Sequence, residues 1–199
     1  QELDKLQGKV VRLTEDGKVP PDNPFVNTAG ARPEIWSYGI RNPQGMAMNP
    51  WSDTLWLNEH GPRGGDEINI PEKGKNYGWP LATHGINYSG LKIPEAKGEH
   101  VEGTEKPLFV WKVSPAVSGM AFYNSDVFPQ WKNKLFIGAL KEKDVIVLSV
   151  KGNSVTEDGR ILGDKDQRIR DVRVGPDGYL YVLTDETDGQ LLKVSPSRS

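Results

Sequence analysis

Several cationic side chains stand where predicted strands begin or end. In the run Arg168-Ile169-Arg170, residues i and i+2 of an extended strand point to one face, so both guanidinium groups project together while Ile169 faces the core. Two adjacent cations repel unless an anion lies between them. Lys141 directly follows another predicted strand, and Arg41 opens the run Arg41-Asn42-Pro43-Gln44-Gly45 before a third. Such cations, if they converge, would suit a small, flat polycarboxylate, whereas solvated surface cations are the alternative.

The segment from Glu59 to Glu67 mixes acidic residues with glycines. Hard cations such as calcium prefer oxygen ligands, backbone carbonyls included, and the Gly61-Pro62 pair offers carbonyls with little steric hindrance. The spacing does not match an EF-hand, and a solvated acidic loop is the alternative. Asp66 and Glu67 would face opposite ways on a strand, which argues against the acid/base pair of a carbohydrate hydrolase. The three histidines, His60, His84 and His100, are each more typical of a polar loop residue than of a catalytic base.

Composition excludes several other classes of function. The chain of 199 residues contains no cysteine, which excludes disulfides, thiolate metal sites and a cysteine nucleophile. A formal net charge of -2 gives no sign of binding to nucleic acid or to an anionic membrane, and no apolar stretch is long enough to span a bilayer. Phosphate-binding G-K-[ST], dinucleotide-binding G-x-G-x-x-G and H-E-x-x-H motifs are absent from the sequence.

Short strands joined by tight polar turns are predicted to position these residues. Three segments repeat a strand, a turn and a second strand: 45–50 with 54–57, 119–122 with 134–138, and 172–178 with 179–182. Further strands are predicted at 145–150 and 190–194, and 8–13 is predicted to close a unit that starts upstream. The repeat favours an all-β propeller over a β-sandwich, because a β-sandwich gives no reason for a repeated strand pair. The irregular region 70–106 is long enough to indicate a functional loop.

Four motifs in a fixed order carry a resemblance to a known family. They are Arg41-Asn42-Pro43-Gln44-Gly45, Glu59-His60-Gly61-Pro62, Gly65-Asp66-Glu67-Ile68-Asn69 and Lys75-Asn76-Tyr77-Gly78-Trp79-Pro80. Together they resemble the glucose/sorbosone dehydrogenases, and within that family the bacterial aldose sugar dehydrogenases that use pyrroloquinoline quinone (PQQ). The resemblance implies a six-bladed β-propeller with the quinone on top of the barrel near its axis. Residues 1–199 would be about three blades, the C-terminal half of a single propeller domain.

The resemblance also implies roles for individual residues. Arg41 would be the catalytic residue of this chain, near the quinone carbonyl that accepts hydride. The carbonyls of Gly61 and Pro62 would hold a catalytic calcium ion, and Glu67 with the Tyr77 carbonyl would hold a second, structural one. The residues implied to contact PQQ are Arg41, Asn42, Tyr88, Ala139, Leu140, Lys141, Arg168, Ile169 and Arg170.

The implied activity is oxidation of an aldose at C1 to a lactone, with hydride passing to PQQ and electrons then to a further acceptor. The family's general-base histidine lies in the half that this sequence lacks, so the isolated chain is expected to be inactive, and aggregated or dimeric, until it meets the missing N-terminal half. The resemblance implies a periplasmic location, although no signal peptide begins this sequence. A propeller that binds partners without a cofactor is the alternative function.

Overall fold

The computed structural model describes residues 1–196 and contains strands joined by loops. Nothing in that range forms a helix long and apolar enough to cross a membrane; two short 3₁₀ turns, Pro129–Trp131 and Gly163–Lys165, are the helical elements. The thirteen strands of the described range are β1 (Lys9–Val11), β2 (Ile35–Tyr38), β3 (Pro43–Asn49), β4 (Thr54–Glu59), β5 (Asp66–Asn69), β6 (Phe109–Trp111), β7 (Val117–Tyr123), β8 (Lys134–Ala139), β9 (Val145–Lys151), β10 (Ser154–Ile161), β11 (Ile169–Val174), β12 (Leu180–Thr184) and β13 (Leu191–Val194).

These strands form four antiparallel sheets in chain order. Two sheets have four strands, in the orders β3-β4-β5-β6 and β10-β9-β8-β7; one has three, β11-β12-β13, and one has two, β1-β2. The first strand of each larger sheet lies at its inner edge, because β7 packs between β3 and β11. Sheets that follow one another and meet through their first strands have the arrangement of propeller blades.

Apolar side chains fill the spaces between successive sheets. Trp56, Met120 and Phe122 belong to the cluster between the β3–β6 and β7–β10 sheets, where the Trp56 and Phe122 rings meet edge-on at 5.3 Å. A second cluster, with Phe136 and Val172, joins the β7–β10 sheet to the β11–β13 sheet. The β7–β10 sheet therefore buries both faces against neighbours, and the position of β7 between the two clusters explains why all seven of its residues are buried.

The three predicted strand pairs are confirmed as β3–β4, β7–β8 and β11–β12, and the strands predicted near 145–150 and 190–194 are β9 and β13. The prediction that 8–13 closes its unit was wrong, because β1 pairs with β2, which follows it in the chain. The sequence did not reveal β2, β5, β6 or β10, since three of these have only three or four residues and β10 is a polar outer strand.

The inner strands are joined at the end where they start. The Asn58 side chain accepts from the Gly45 amide at 3.0 Å and donates to the Ser118 carbonyl at 2.8 Å. The Ser118 hydroxyl in turn donates to the Ile169 carbonyl at 2.7 Å. Gly45 has no room for a side chain, because a Cβ there would lie 2.6 Å from the Ser118 carbonyl oxygen. We call this end of the three sheets, where β3, β7 and β11 begin and β4, β8 and β12 finish, the site end.

Candidate functional site

Arg41 is fixed from several sides just before β3. Its amide donates to the buried Glu59 carboxylate at 2.6 Å, and its Nη1 donates to the carbonyls of His60 and Gly61 at 3.2 and 2.9 Å. The guanidinium lies over the Trp79 ring, 5.2 Å from its centroid. Its Nε is buried with no acceptor among residues 1–196. An unused buried donor on a held guanidinium fits an additional acceptor supplied by a bound molecule.

The Gly61-Pro62 loop after β4 is built from glycines that a side chain would displace. A Cβ on Gly61 would meet the Gly64 carbonyl oxygen and lie 2.5 Å from the Gly65 carbonyl carbon. Gly64 and Gly65 have φ of +80° and +76°, a region that favours glycine. The loop therefore folds tightly on itself and keeps the Gly61 and Pro62 carbonyls in a defined orientation.

A buried glutamate, Glu59, and a partly buried one, Glu67, face each other across β4 and β5. Glu59 and Glu67 are register partners, and the Asn69 amide donates to one oxygen of each at 3.0 Å. Burial, followed by the charge of Glu67, raises the pKa of Glu59 to about 8. Burial likewise raises the pKa of Glu67 to about 7, with the charge of Asp66 adding to the rise. Two carboxyls this close favour a proton or a cation in their surroundings.

A cavity of about 20 Å³ joins these groups. Its lining includes Arg41, Glu59, Gly61, Pro62, Glu67 and Tyr77. One water-sized sphere needs roughly 10–15 Å³, so the space suits a single small ion or water.

The donors around this cavity are oxygens. Residues 1–196 hold no cluster of three or more His, Cys, Asp or Glu side chains arranged for a metal, so an ion there would use backbone carbonyls with one or two carboxylates, the ligands that calcium accepts. The Tyr77 phenol turns away to the Ile70 carbonyl and the Glu72 amide, and burial raises its pKa to about 12. The described residues therefore fit the oxygen set that the sequence predicts.

Arg168 and Arg170 project to one side of β11 around an acidic residue, as the i and i+2 spacing predicts. The Asp185 carboxylate, just beyond β12, accepts from Arg168 at 3.3 Å and from Arg170 at 2.9 Å. Ile169 between them is fully buried. The anion expected between the two guanidinium groups is thus present in the chain itself, and all three side chains remain partly open to solvent.

Lys141 lies at the site end beyond β8. Its Nζ is 3.3 Å from the Ser114 carbonyl and 3.3 Å from the Glu142 carboxylate. Ala139 and Leu140 are buried, and their amides donate to the Asp144 and Ala116 carbonyls. The backbone before Lys141 is therefore firmly held, while the lysine side chain extends outward.

Asn42 and Tyr88 occupy contrasting positions. Asn42 precedes β3 beside Arg41; its carbonyl accepts from the His60 amide at 3.0 Å, and its side chain accepts from Gln44. Tyr88 lies in the long loop between β5 and β6 and is 71% exposed. The irregular loop predicted over 70–106 is confirmed, since residues 70–108 contain no strand.

Direct contacts in the structure join two subsets of the predicted residues. Arg41 lies with the Gly61-Pro62 loop, Glu67 and Tyr77 around the small cavity, while Arg168 and Arg170 share Asp185. Lys141 and Tyr88 make no direct contact with either subset among the hydrogen bonds and ion pairs of residues 1–196. All of the strand-end residues nevertheless lie at the site end, because the antiparallel order returns β4, β8 and β12 to where β3, β7 and β11 start.

The alternative of a solvated acidic loop over 59–67 was wrong. Glu59 is 2% exposed and Asp66 is fully buried, because β4 and β5 lie inside a four-stranded sheet. The sequence indicated no role for Glu59 or for Trp79 beneath Arg41, and it argued against Asp66 as a hydrolase acid without indicating another role for it. The signal that could have found Glu59 and Asp66 is their position at the facing ends of two strands joined by a glycine-rich turn.

The protein is therefore of an all-β, propeller type. It has a cluster of cations, carbonyls and buried carboxylates at one end of its inner strands. The chain belongs to the glucose/sorbosone dehydrogenase family, whose model matches residues 1–193. It is 81% identical to the aldose sugar dehydrogenase YliI of Escherichia coli over 196 residues, covering 98% of this chain and 53% of that protein. The chain thus spans about half the length of the curated relatives that it matches.

Solved structures agree with the sequence comparison. The apo form of the soluble aldose sugar dehydrogenase of Escherichia coli superposes with a TM-score of 0.98 at 80% identity, over 99% of this chain and 57% of that one. The PQQ-bound aldose sugar dehydrogenase of Streptomyces coelicolor gives a TM-score of 0.72 at 28% identity, over 96% and 53%. The predicted fold class, all-β and part of a six-bladed propeller, is confirmed.

Proposed function

We propose that residues 1–199 form the C-terminal half of a calcium- and PQQ-dependent aldose sugar dehydrogenase and supply most of its cofactor site. The observation that carries this proposal is the arrangement around Arg41: a guanidinium held by the His60 and Gly61 carbonyls and by Trp79, with one buried nitrogen left without a partner. A surface arginine has no need of such restraint. A catalytic one does, because charge that develops on a reacting carbonyl is best stabilised by a donor that is already in place.

Calcium would be held by oxygens of two neighbouring positions. The Gly61 and Pro62 carbonyls would face the catalytic ion, which as a Lewis acid polarises the quinone when both are bound. Glu67 and the Tyr77 carbonyl would hold the structural ion, close to the buried Glu59. The tight glycine loop fixes the first pair of carbonyls, and the strand register of β4 and β5 fixes Glu67.

The quinone's carboxylates would bind to the cations at the site end. Arg168 and Arg170 together carry two positive charges against one from Asp185, so an excess of positive charge remains for an anionic ligand. Lys141 would add a third cation, while Asn42 and the backbone at Ala139, Leu140 and Ile169 would line the same wall. Tyr88, exposed on the long loop, would close over the ring.

The remaining machinery would come from outside this sequence. A histidine of the N-terminal half would remove the C1 hydroxyl proton of the aldose while hydride passes to the quinone. His60 is unsuited to that role, because its Nε2 is committed to the Val117 carbonyl at 2.5 Å. By the same resemblance the protein would act in the periplasm and pass electrons to a separate acceptor. A propeller that binds partners without cofactor is the second candidate, favoured only by the general independence of fold and function.

Reconstitution of the full-length protein that carries this chain tests the proposal. With calcium and PQQ supplied, we expect dye-linked oxidation of aldoses, and Arg41→Leu should lower kcat by about 100-fold or more, the usual cost of losing a charge-stabilising donor. Arg32→Leu is the matched control, since Arg32 makes an exposed pair with Glu34 and should leave kcat unchanged. A full-length protein that binds neither calcium nor PQQ would instead support the binding module.

A further inference from the structure

Asp66 is a fully buried carboxylate that accepts hydrogen bonds from three neutral groups. Its Oδ1 accepts from the Gly61 amide at 3.1 Å, and its Oδ2 accepts from the Ser114 hydroxyl at 2.8 Å and from the Val117 amide at 3.1 Å. These donors belong to different parts of the fold, because Gly61 lies in the loop after β4, whereas Ser114 and Val117 belong to the segment that enters β7. One side chain therefore joins two neighbouring sheets at the site end.

Two of the three residues that donate to Asp66, Gly61 and Ser114, also accept through their carbonyls from cations of the candidate site. The Gly61 carbonyl accepts from Arg41 Nη1 at 2.9 Å. The Ser114 carbonyl accepts from Lys141 Nζ at 3.3 Å. Asp66 is thus linked to Arg41 through Gly61 and to Lys141 through Ser114. These two cations lie about a hundred residues apart in the chain.

The charge of Asp66 is not compensated by a cation. Across residues 1–196, the ion pairs within 4.0 Å do not include this carboxylate, in contrast to most acids of the β11–β13 sheet. Burying a carboxylate that has only neutral donors is costly. The charge becomes useful if a cation binds to the neighbouring Gly61 and Pro62 carbonyls, because a buried negative charge attracts it through a medium of low dielectric constant.

We propose that Asp66 is a positioning residue of the calcium and quinone site. Resting on the function proposed above, it orients the Gly61-Pro62 carbonyls toward the catalytic ion, and through Ser114 it sets the place of Lys141. It touches neither the sugar nor the quinone. Its loss should therefore weaken the binding of both calcium and PQQ, whereas the loss of Lys141 alone should affect only PQQ.

Equilibrium binding to the full-length protein tests this role without relying on turnover. Calorimetry with calcium and absorbance titration with PQQ should give dissociation constants for the parent and for Asp66→Asn, which preserves shape but removes the charge. We expect calcium binding to weaken by about 10- to 100-fold, the usual effect of changing a group that orients metal ligands, and PQQ binding to weaken with it. Ser114→Ala, which removes one donor and leaves the carboxylate, should weaken PQQ binding by roughly threefold.

Leu148→Ala is the matched control for a loss of stability. Leu148 is fully buried in the cluster between two sheets, so its truncation should lower the unfolding midpoint and leave both dissociation constants unchanged. Unchanged constants in Asp66→Asn beside a parent that binds both ligands would overturn the role of Asp66 and leave the proposed function intact. A parent that binds neither ligand would overturn both. If Asp66→Asn does not fold, Ser114→Ala decides: PQQ affinity equal to that of the parent counts against the proposal.

Discussion

Acidic residues are used in opposite ways by two sheets of this molecule. In the β3–β6 sheet, Glu59 and Asp66 are buried and accept hydrogen bonds mainly from amides and a hydroxyl. In the β11–β13 sheet, Asp177 and Asp185 are partly exposed and pair with lysine or arginine.

This contrast distinguishes acidic residues that serve the fold, in the β11–β13 sheet, from acidic residues that would serve a ligand, in the β3–β6 sheet. An exposed ion pair costs little and contributes little, about 0–1 kcal/mol. A buried carboxyl without a cation lowers stability, so its presence calls for a compensating ligand or role. The oxygen-lined cavity beside Glu59 and Glu67 provides that explanation in the first sheet, whereas the second sheet needs none for its acids.

Among the acidic residues of the two sheets, replacing Glu67 by glutamine should change ligand binding most. The change removes a charged oxygen ligand, and we expect the calcium dissociation constant of the full-length protein to rise at least tenfold, on the order of 1.4 kcal/mol or more. Without calcium, the unfolding midpoint should rise, because a neutral amide avoids the cost of burying a charge, which is the main cause of the raised pKa of Glu67.

The matched control for that experiment is Asp177→Asn. Asp177 accepts from Lys193 at 2.7 Å and from Tyr181 at 2.8 Å on the surface. Its replacement should leave the calcium isotherm unchanged and lower the unfolding midpoint slightly. An isotherm for Glu67→Gln that matches the parent would remove Glu67 from the ligand set.

Replacing Asp185 by asparagine should have a smaller effect with the opposite sign. Asp185 occupies the guanidinium groups of Arg168 and Arg170 and would compete there with a carboxylate of the quinone. Freeing them should tighten PQQ binding by about two- to fivefold at low ionic strength, since a surface pair is worth up to about 1 kcal/mol. Salt should erase the gain, because exposed charges are screened. Weaker PQQ binding in this variant would show that Asp185 supports the two arginines rather than competing for them.

The sequence is sufficient to predict the strand pairs and the strand ends that carry the candidate site residues. Runs of β-branched and aromatic residues interrupted by turn residues identify β3–β4, β7–β8 and β11–β12. The i and i+2 spacing correctly puts Arg168 and Arg170 on one face. These features depend on local backbone geometry, which neighbouring residues determine.

The burial of the acids could not be predicted in the same way. The segment from Glu59 to Glu67 has the composition of a solvated loop, and its acids are enclosed only because β5 pairs with β6, some forty residues further on, and because Ser114 and Val117 approach from the next sheet. Trp79 reaches Arg41 through the long irregular loop for the same reason. Contacts between distant segments decide these environments, and a single sequence gives little sign of them.

Complementation of the two halves tests whether this chain provides the cofactor walls of the site while the base is supplied from elsewhere. Dye-linked oxidation of an aldose would be measured with calcium and PQQ for residues 1–199 alone, for the N-terminal half alone, and for the two mixed. We expect no activity from either part and activity from the mixture, lost again when Arg41 is replaced by leucine. Sugar oxidation by residues 1–199 alone would contradict this expectation, because the base would then have to lie within this chain.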